Sequence, residues 1–514
     1  MRLRTGLIYL GIALIGAALV YEVTREHGIA LSVDSVKYVS TAESLLDGEG
    51  FMQFDGLPYT LWPPLYPMTL AGAGWAGGGD LLAAARWLHI TLFALVVLAS
   101  AFLFRRLTGS DLHGGVAALA LVGAYPVVRS AVLAQSELSF ILLVVLFVST
   151  VGAYASRPRV SLLLVAALLA GAAVIQRYAG VALIGAGGLV ILAAPGAGGL
   201  RRRVAHAASF GVLSSIPFGV WLTRNRVVTG TWMGERLPPP RTLIRNAEDV
   251  LDTVSAWFFP QQSLPLETRL ELLAIGFAAV IVCCAAGVWL RRDREPEDRR
   301  ASNALAITAL VVVVVYIAFL LASSSVSFYG RLNHRYLSPV YIPLFALVWL
   351  GTVNLCRGVG RVFRAKRVGH SLPVLLLGSW IAIHPIGQME RLVRNLLRGG
   401  MPGYTSRDWT ESPMIAWLRE NPLEGTVYTN SPEAMYILCD VRAQEILTRL
   451  SHPTKVEAAA TVEEAGAIVW FAPFRSRQPL PKGSFEDFEK YGQGVEVLPL
   501  ETFVDGAVFR VREP

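Results

Sequence analysis

Residues 302–322 read SNALAITALVVVVVYIAFLLA, a run of 21 residues without a charged side chain. A helix needs about 20 apolar residues to cross the ~30 Å hydrocarbon layer of a bilayer, so this run is long enough. In the whole chain of 514 residues, 54% are hydrophobic and only 16% are charged. A soluble globule needs more polar residues than this to cover its surface. The sequence therefore predicts a mostly α-helical, polytopic membrane protein.

Eleven apolar stretches qualify as candidate transmembrane helices by the same length criterion. The first follows Met-Arg-Leu-Arg and is interpreted as an uncleaved helix, because its small residues run into Leu19-Val20-Tyr21 and further spans follow. The fifth and sixth are short and are separated by Gln176-Arg177-Tyr178, so a re-entrant hairpin stays open there. The eleven stretches are 5–21, 84–104, 112–128, 136–154, 160–174, 178–194, 206–222, 269–290, 302–322, 337–355 and 371–389.

Basic residues predict the orientation of these spans. With the N-terminus inside, the inner segments hold 19 Lys or Arg in 53 residues, whereas the outer segments hold 11 in 136. Cytoplasmic loops are the ones enriched in Lys and Arg. We therefore expect a multi-pass protein of the inner or plasma membrane with a cytoplasmic N-terminus and an extracytoplasmic tail. The inner segments counted are 1–4, 105–111, 155–160, 195–205, 291–300 and 356–370.

The tail differs from the rest of the chain in pattern. Turn signals such as Asn421-Pro422 separate short β-like runs, and Pro413–Glu420 has a helical pattern. The sequence therefore predicts a transmembrane domain over 1–389, with a long outer loop at 22–83, and a small extracytoplasmic α/β domain over 390–514. The β-like runs are Thr426–Tyr428, Ala467–Phe471, Val495–Leu498 and Ala507–Val511.

The long outer loop contains two further elements. Apolar residues at helical spacing from Leu31 to Gly50 predict an amphipathic helix at the membrane surface, with Asp34 at its start. On the helix pattern alone, Asp34 is an N-cap residue, because Asp satisfies free N–H groups in a first turn. The prolines between Pro58 and Leu70 predict a rigid extended segment after this helix.

Several motifs, in this order along the chain, resemble the membrane-embedded C-type (GT-C) glycosyltransferases, particularly the protein O-mannosyltransferase-like group of bacteria. The motifs are the outer-loop acid Asp34, the helix Tyr38-x-x-x-Ala42-x-x-Leu45-x-x-Gly48, Trp62-Pro63-Pro64-Leu65-Tyr66-Pro67, Ser136-Glu137, Gln176-Arg177-Tyr178-Ala179-Gly180, Trp221-Leu222-Thr223-Arg224-Asn225, Asn333-His334-Arg335-Tyr336-Leu337-Ser338-Pro339 and Asn430-Ser431-Pro432-Glu433. The resemblance spans the whole membrane region. It implies transfer of a sugar from a polyprenyl-phosphate donor to an extracytoplasmic glycan, lipid or protein, with inversion.

The resemblance also implies roles for individual residues. Asp34 takes the place of the general base, which removes a proton from the acceptor hydroxyl. Arginine matches phosphate oxygens with a planar fork of donors, although arginines near helix ends also snorkel. The predicted donor-phosphate residues are Arg331, His334, Arg335, Tyr336, Arg177 and Arg224, and the predicted acceptor or sugar residues are Glu137, Tyr38, Tyr178 and Asn225. For Glu137, pairing with a helix N-terminus is the alternative.

One departure from the family pattern bears on the acceptor. Eukaryotic-type mannosyltransferases carry an Asp-Glu pair in this loop, whereas Ser35 follows Asp34 here, so transfer to protein Ser or Thr is not implied. Lipid A aminoarabinose transferases and arabinosyltransferases share the architecture, which leaves the acceptor open. A polyprenyl-linked glycan or lipid flippase is the main alternative, although it predicts internal symmetry that this chain does not show.

The sequence assigns no cofactor to the protein. The first outer loop has enough carboxylates for a divalent cation, namely Asp34, Asp47, Glu49 and Asp55, but it has no Asp-x-Asp motif, and we assign no metal. No phosphate-binding P-loop is present, which argues against a nucleotide-sugar donor. The expected partners are the bilayer, a lipid-linked donor and one acceptor, with no nucleic acid.

Overall fold

The computed structural model shows a mostly helical protein with a small sheet near its C-terminal end. It describes residues 3–236, 238–261, 263–290, 296–327, 329–362, 372–373, 375–377, 379–380, 384–445, 466–472 and 496–512. A single 3-10 turn, Tyr178–Gly180, joins the helix Val160–Gln176 to the helix Val181–Ala193. The helices are α1 (Leu3–Val23), α2 (Val33–Leu46), α3 (Leu65–Ala76), α4 (Leu81–Thr108), α5 (Asp111–Val122), α6 (Tyr125–Ala131), α7 (Glu137–Ser156), α8 (Val160–Gln176), α9 (Val181–Ala193), α10 (Leu200–Thr229), α11 (Leu243–Phe258), α12 (Leu266–Leu290), α13 (Pro296–Ser324), α14 (His334–Val362), α15 (Pro385–Gly399), α16 (Arg407–Thr410), α17 (Pro413–Glu420) and α18 (Pro432–Cys439).

The predicted count of eleven spans is not confirmed. Within the described part of the chain, six helices are long and apolar enough to cross a membrane: α1, α4, α7, α10, α13 and α14. A seventh span results if α5 and α6 count as one, although they meet at an angle of 59°. Pro126, in the first turn of α6, favours a new helix start there, because proline lacks the N–H that a continuing helix would need.

The remaining predicted spans have separate outcomes. The stretches 160–174 and 178–194 form α8 and α9, which at 17 and 13 residues are shorter than a typical span. The stretch 269–290 lies in α12, which is helical but is not among the six candidates. Most of 371–389 lies outside the described residues.

A close backbone approach holds the turn between α8 and α9. A Cβ atom on Gly180 would lie 2.4 Å from the carbonyl carbon and oxygen of Ala173, so a larger residue would collide with the backbone of α8. Arg177 stands at the start of this turn, immediately after α8. The glycine therefore permits the tight reversal from which Arg177 projects.

The outer-loop helix α2 begins with a cap other than the predicted one. Ser32 is the N-cap residue, and its hydroxyl accepts a hydrogen bond from the Ser35 backbone N–H, while the Ser35 side chain accepts from the Ser32 N–H. The N-cap interpretation of Asp34 is therefore wrong, since Asp34 lies two residues inside the helix. Its carboxylate is left for another role.

The predicted extended segment over 58–70 is only partly correct. Helix α3 begins at Leu65, directly after Pro64, and contains Pro67 in its first turn. First-turn N–H groups have no partner inside a helix, so prolines there cost no hydrogen bond. The helix therefore takes up the second half of the predicted segment, and Pro64 already has αR backbone angles.

A five-stranded mixed sheet lies in the C-terminal region, in the order β2-β1-β3-β5-β4. Parallel pairs join β1 to β2 and to β3, and antiparallel pairs join β5 to β3 and to β4. Three of the four predicted β-like runs lie within strands, and so does the described part of the fourth, 496–498, because residue 495 lies outside the described residues. Pro413–Glu420 is helical as predicted, whereas β2 was not predicted. The strands are β1 (Thr426–Thr429), β2 (Gln444–Glu445), β3 (Gly466–Phe471), β4 (Glu496–Phe503) and β5 (Gly506–Arg512).

The segment 29–32, just before α2, lies between two other parts of the chain. On one side, Ala30 pairs with Leu133 as a parallel bridge, and Gln135 Nε2 donates to Ser32 Oγ at 2.5 Å. On the other side, the Tyr404 N–H donates to the Leu31 carbonyl oxygen at 2.7 Å. Contacts from Tyr404 on one side, and from Leu133 and Gln135 on the other, therefore fix the position at which α2 begins.

Candidate active site

Four charged side chains from separate elements meet at one end of the helical bundle. Arg335, in the first turn of α14, donates through its terminal nitrogen to Asp34 Oδ2 on α2, and its Nε donates to Glu137 Oε1 at 2.6 Å. Arg177 contacts the same Glu137 oxygen at 2.5 Å. We call Asp34, Glu137, Arg177 and Arg335 the acid-arginine cluster. It holds two negative and two positive charges.

Most of the charges in this cluster are buried, so each of them needs a partner of opposite charge. The side chain of Glu137 is 2% exposed, and its Oε2 has no hydrogen-bond partner among the described residues. Burial lowers the pKa of Arg177, but the Glu137 carboxylate more than offsets this, so the pKa lies above its usual value. Arg177 also donates to Ser136 Oγ at 3.1 Å, which ties it to the start of α7. A buried charge is tolerated only when it is paired in this way.

Asp34 is the more accessible acid of the cluster. Its side chain is 19% exposed, and among the described residues no donor binds its second oxygen, Oδ1. Arg335 holds Oδ2 and thereby orients the carboxylate. Within the part of the chain that the structure describes, Oδ1 is thus left to accept a proton.

Aromatic side chains pack beside Asp34. Tyr38, one turn further along α2, is buried and packs edge-on against Tyr66 and Trp62, with ring centroids 5.0 and 6.2 Å apart. Burial raises the pKa of Tyr38, and the charge of Asp34 raises it further. Its hydroxyl therefore stays protonated at neutral pH and is able to donate a hydrogen bond.

A second predicted group forms a structural junction. Arg224 NH1 donates to the Tyr59 carbonyl oxygen at 2.8 Å, and Asn225 Nδ2 donates to the Trp232 carbonyl oxygen at 3.2 Å. The Tyr178 hydroxyl donates to the Thr60 carbonyl oxygen at 3.1 Å. These predicted phosphate and sugar residues use their polar atoms to hold the loop after α2.

A third group lies at the start of α14. Arg331 is paired with Asp252 at 2.5 Å and with Asp249 at 3.3 Å, both on α11. His334 Nδ1 accepts a hydrogen bond from Trp257 Nε1 at 2.9 Å. The Tyr336 ring lies 5.9 Å from the Arg335 guanidinium. Arg331 and His334 thus face α11, whereas Arg335 faces α2 and α7.

Sequence reasoning missed residues that support these groups. Gln135 and Trp257 were not predicted, although each bonds directly to a residue near the predicted site. Lys37 was also missed; it pairs with Asp55 at 2.5 Å, and its side chain is only 12% exposed. A basic residue three positions after Asp34, in the same amphipathic helix, was the signal available for Lys37.

An apolar groove of about 280 Å³ runs along α12 and α14. Its first α14 residue, Val348, lies 14 residues beyond His334, about 21 Å along the helix axis. Phe258 and Phe259, which follow Trp257 on α11, line its end nearer to His334. Its lining is Phe258, Phe259, Leu272, Leu273, Gly276, Phe277, Ala279, Val348, Gly351, Thr352, Leu355, Leu377 and Trp380.

No protein-family model matches the chain, and a search of curated proteins finds no related sequence. Solved structures do match over nearly the whole length. ArnT from Cupriavidus metallidurans in the apo state gives a TM-score of 0.60 at 12% identity, covering 98% of this chain and 97% of that chain. The same protein bound to undecaprenyl phosphate gives 0.59 at 12% identity, over 98% and 97%.

A second solved protein gives the same result. The Archaeoglobus fulgidus oligosaccharyltransferase, in complex with zinc and sulfate, gives a TM-score of 0.55 at 13% identity, covering 96% of this chain and 73% of that chain. Both neighbours have the GT-C fold. The chain therefore has the fold of the GT-C glycosyltransferases, as the motifs predicted.

Proposed function

We propose that this protein is a membrane glycosyltransferase that moves a sugar from a polyprenyl-phosphate donor to an extracytoplasmic acceptor, with Asp34 as the general base. The observation that carries the proposal is the acid-arginine cluster. Its members are up to 301 residues apart in sequence, yet they meet around one partly exposed carboxylate. Of the two acids, Asp34 is the accessible one, and no donor among the described residues binds its Oδ1.

The fold supports the donor class. Solved neighbours were obtained with undecaprenyl phosphate or with a dolichol-phosphate bound. The apolar groove along α14 has the chemistry to hold an isoprenoid chain, because its lining is dominated by aliphatic and aromatic side chains.

The proposed reaction has one bond-forming and one bond-breaking event. Asp34 Oδ1 takes the proton of the acceptor hydroxyl as the oxygen attacks the anomeric carbon from the face opposite the phosphate. The bond between that carbon and the phosphate oxygen breaks, and its electron pair leaves with the polyprenyl phosphate. Arginine donors stabilise the added negative charge. The configuration at the anomeric carbon inverts.

The test is the substitution Asp34→Asn. Asparagine has nearly the same shape but cannot take a proton, and Arg335 keeps Glu137 as its partner, so folding should be retained. Turnover in membranes supplied with polyprenyl-phosphate sugar and acceptor should fall ~10²–10⁴-fold. Asp34→Glu should keep only a trace of activity, because an error of ~1 Å in a reacting oxygen costs about 10²-fold.

Asp47→Asn is the matched control, since Asp47 is an exposed acid at the other end of the same helix. It should leave turnover within about twofold, as expected for a surface change. Near-normal transfer by Asp34→Asn would place the base elsewhere and would contradict the mechanism.

The proposal also requires the cluster to face outward. A reporter active only in the periplasm, fused after Pro514, should be active, and one fused after Gly369 should be silent. The reverse pattern would place Asp34 in the cytoplasm and would contradict an extracytoplasmic acceptor.

A further inference from the structure

The acid-arginine cluster is already balanced in charge. Asp34 and Glu137 supply two negative charges, and Arg177 and Arg335 supply two positive charges. Arg335 directs two of its nitrogens at these carboxylates. A phosphate placed against this cluster would have to compete with both acids for the same donors.

The charges around the start of α14 on its other side are not balanced. Asp249 and Asp252 pair with three arginines: Arg241 at 3.0 Å, Arg269 at 2.6 Å and Arg331 at 2.5 Å. This group carries one excess positive charge. Arg331 is also the most accessible of the three, with 58% of its side chain exposed.

A further cation, Arg129 on α6, adds to this excess. Arg129 is half-buried, and no described residue forms a hydrogen bond or ion pair with it. It interacts electrostatically with His334, as do Arg331 and Asp252. One turn earlier on α6, the Tyr125 ring packs edge-on against His334 with centroids 5.0 Å apart. Ser130 bonds Ser338 at 3.5 Å, so α6 is docked directly on α14.

We infer that Arg129, together with His334, binds the phosphate of the lipid-linked donor, and that the excess positive charge around Arg331 attracts it, while Arg335 and Arg177 position the two acids. The inference rests on the proposed function and gives its donor phosphate a location. A guanidinium binds phosphate by charge-assisted hydrogen bonds, which need donors that no carboxylate already occupies. Among the arginines around the start of α14, Arg129 best meets that need within the described residues.

The neighbouring groups suit the same ligand. Tyr125 packs edge-on against His334 and Trp257 donates a hydrogen bond to it, so aromatic side chains from α6 and α11 hold the imidazole. The N-terminus of α14 contributes the positive end of its helix dipole at this point. From here an isoprenoid chain would run along α14, past Tyr341, toward the apolar groove.

The experiment measures binding of a polyprenyl monophosphate, and of the polyprenol of the same chain length, to the full-length protein in phosphatidylcholine nanodiscs by native mass spectrometry. The wild-type protein should prefer the phosphate. Arg129→Gln should weaken phosphate binding ~10–100-fold, because a charge-assisted hydrogen bond contributes ~1.5–3 kcal/mol, and it should leave polyprenol binding unchanged. Arg129→Lys, which keeps the charge but loses the fork, should lie between the two.

Arg25→Gln is the control, because Arg25 is another arginine of the predicted outer side but is exposed and paired with Glu22. It should bind the phosphate as the wild-type protein does. If the wild-type protein prefers the phosphate and both Arg129 variants bind it equally well, the inference about Arg129 is overturned while the proposed function stands. If the wild-type protein does not distinguish phosphate from polyprenol, the donor class fails, and the inference fails with it.

Discussion

The two sides of the first turn of α14 differ in charge balance. Toward α2 and α7, Arg335 joins a closed cluster in which every positive charge has a carboxylate, and the central acid is nearly inaccessible. Toward α6 and α11, cations outnumber acids, and Arg331 is largely exposed. A balanced, buried cluster fixes geometry, whereas an unbalanced, accessible one leaves charge for an incoming anion. Removal of the acceptor proton and stabilisation of the leaving phosphate, both parts of one displacement, would thus be served by opposite sides of the start of α14.

The largest effect is expected for Glu137→Gln, which removes the charge shared by Arg177 and Arg335. Breaking a buried ion pair by removing one partner costs ~3–5 kcal/mol, because the remaining charges stay buried without compensation. The free energy of unfolding should fall by an amount in this range, measured by denaturant titration in detergent. Glu49→Gln, at an exposed position, should change it by less than about 0.5 kcal/mol. Equal stability of the two variants would mean that the cluster is hydrated.

A smaller effect on catalysis is expected for Arg335→Lys. Lysine keeps the charge but cannot hold Asp34 and Glu137 with a planar fork. If Arg335 is a positioning residue, kcat should fall about 10–100-fold while the KM for the donor changes less than about threefold; Arg335→Ala should lower kcat further. A rise in KM at constant kcat would instead place Arg335 against the donor phosphate, as the sequence analysis predicted.

A modest effect is expected for Ser32→Ala, which removes the cap of α2. Loss of an N-cap typically costs ~1 kcal/mol. The thermal midpoint should fall slightly, and kcat should fall with it, because the same serine accepts the hydrogen bond from Gln135. Ser32→Thr, which retains a capping hydroxyl, should restore both quantities. An unchanged midpoint would show that the backbone bridge at Ala30 alone holds the helix start.

The smallest effect is expected for chelation of divalent cations. Asp34 and Glu137 are engaged by arginines, and Asp55 is engaged by Lys37 at 2.5 Å. These carboxylates would have to release their partners to bind a cation. Turnover measured before and after EDTA treatment should therefore be unchanged. Loss of activity that returns with added metal would contradict this prediction.

The sequence predicted the features that depend on neighbouring residues better than the contacts between distant parts of the chain. The helix from Val33 and four of the five strands follow from periodicity and turn residues. The pairing of Arg177 with Glu137 was not predicted, because it depends on how tightly the α8–α9 turn closes at Gly180. The role of Asp34 as a cap was predicted wrongly, because Ser32 offers a shorter hydroxyl two residues earlier.

The span count was not confirmed for a related reason. Apolar length was read as if each run formed one straight helix, yet the run 112–128 bends by 59° where Pro126 begins α6. That bend turns α6 across the start of α14 and brings Arg129 toward His334. A hydropathy pattern does not show where a helix bends, so the sequence analysis did not predict Arg129 as a site residue.

The contact between segment 29–32 and the chain leading to the sheet bears on whether the protein is divisible. Gly403 lies so close that a Cβ atom on it would be 2.7 Å from the Leu31 carbonyl oxygen, and Phe54 stacks on Tyr436 with ring centroids 4.7 Å apart. Cleavage near residue 390 would remove the Tyr404 N–H that donates to the Leu31 carbonyl oxygen, and it would expose the face of the Phe54 ring that Tyr436 covers. Although the two parts differ in composition, these contacts join them, so each is expected to be less stable without the other.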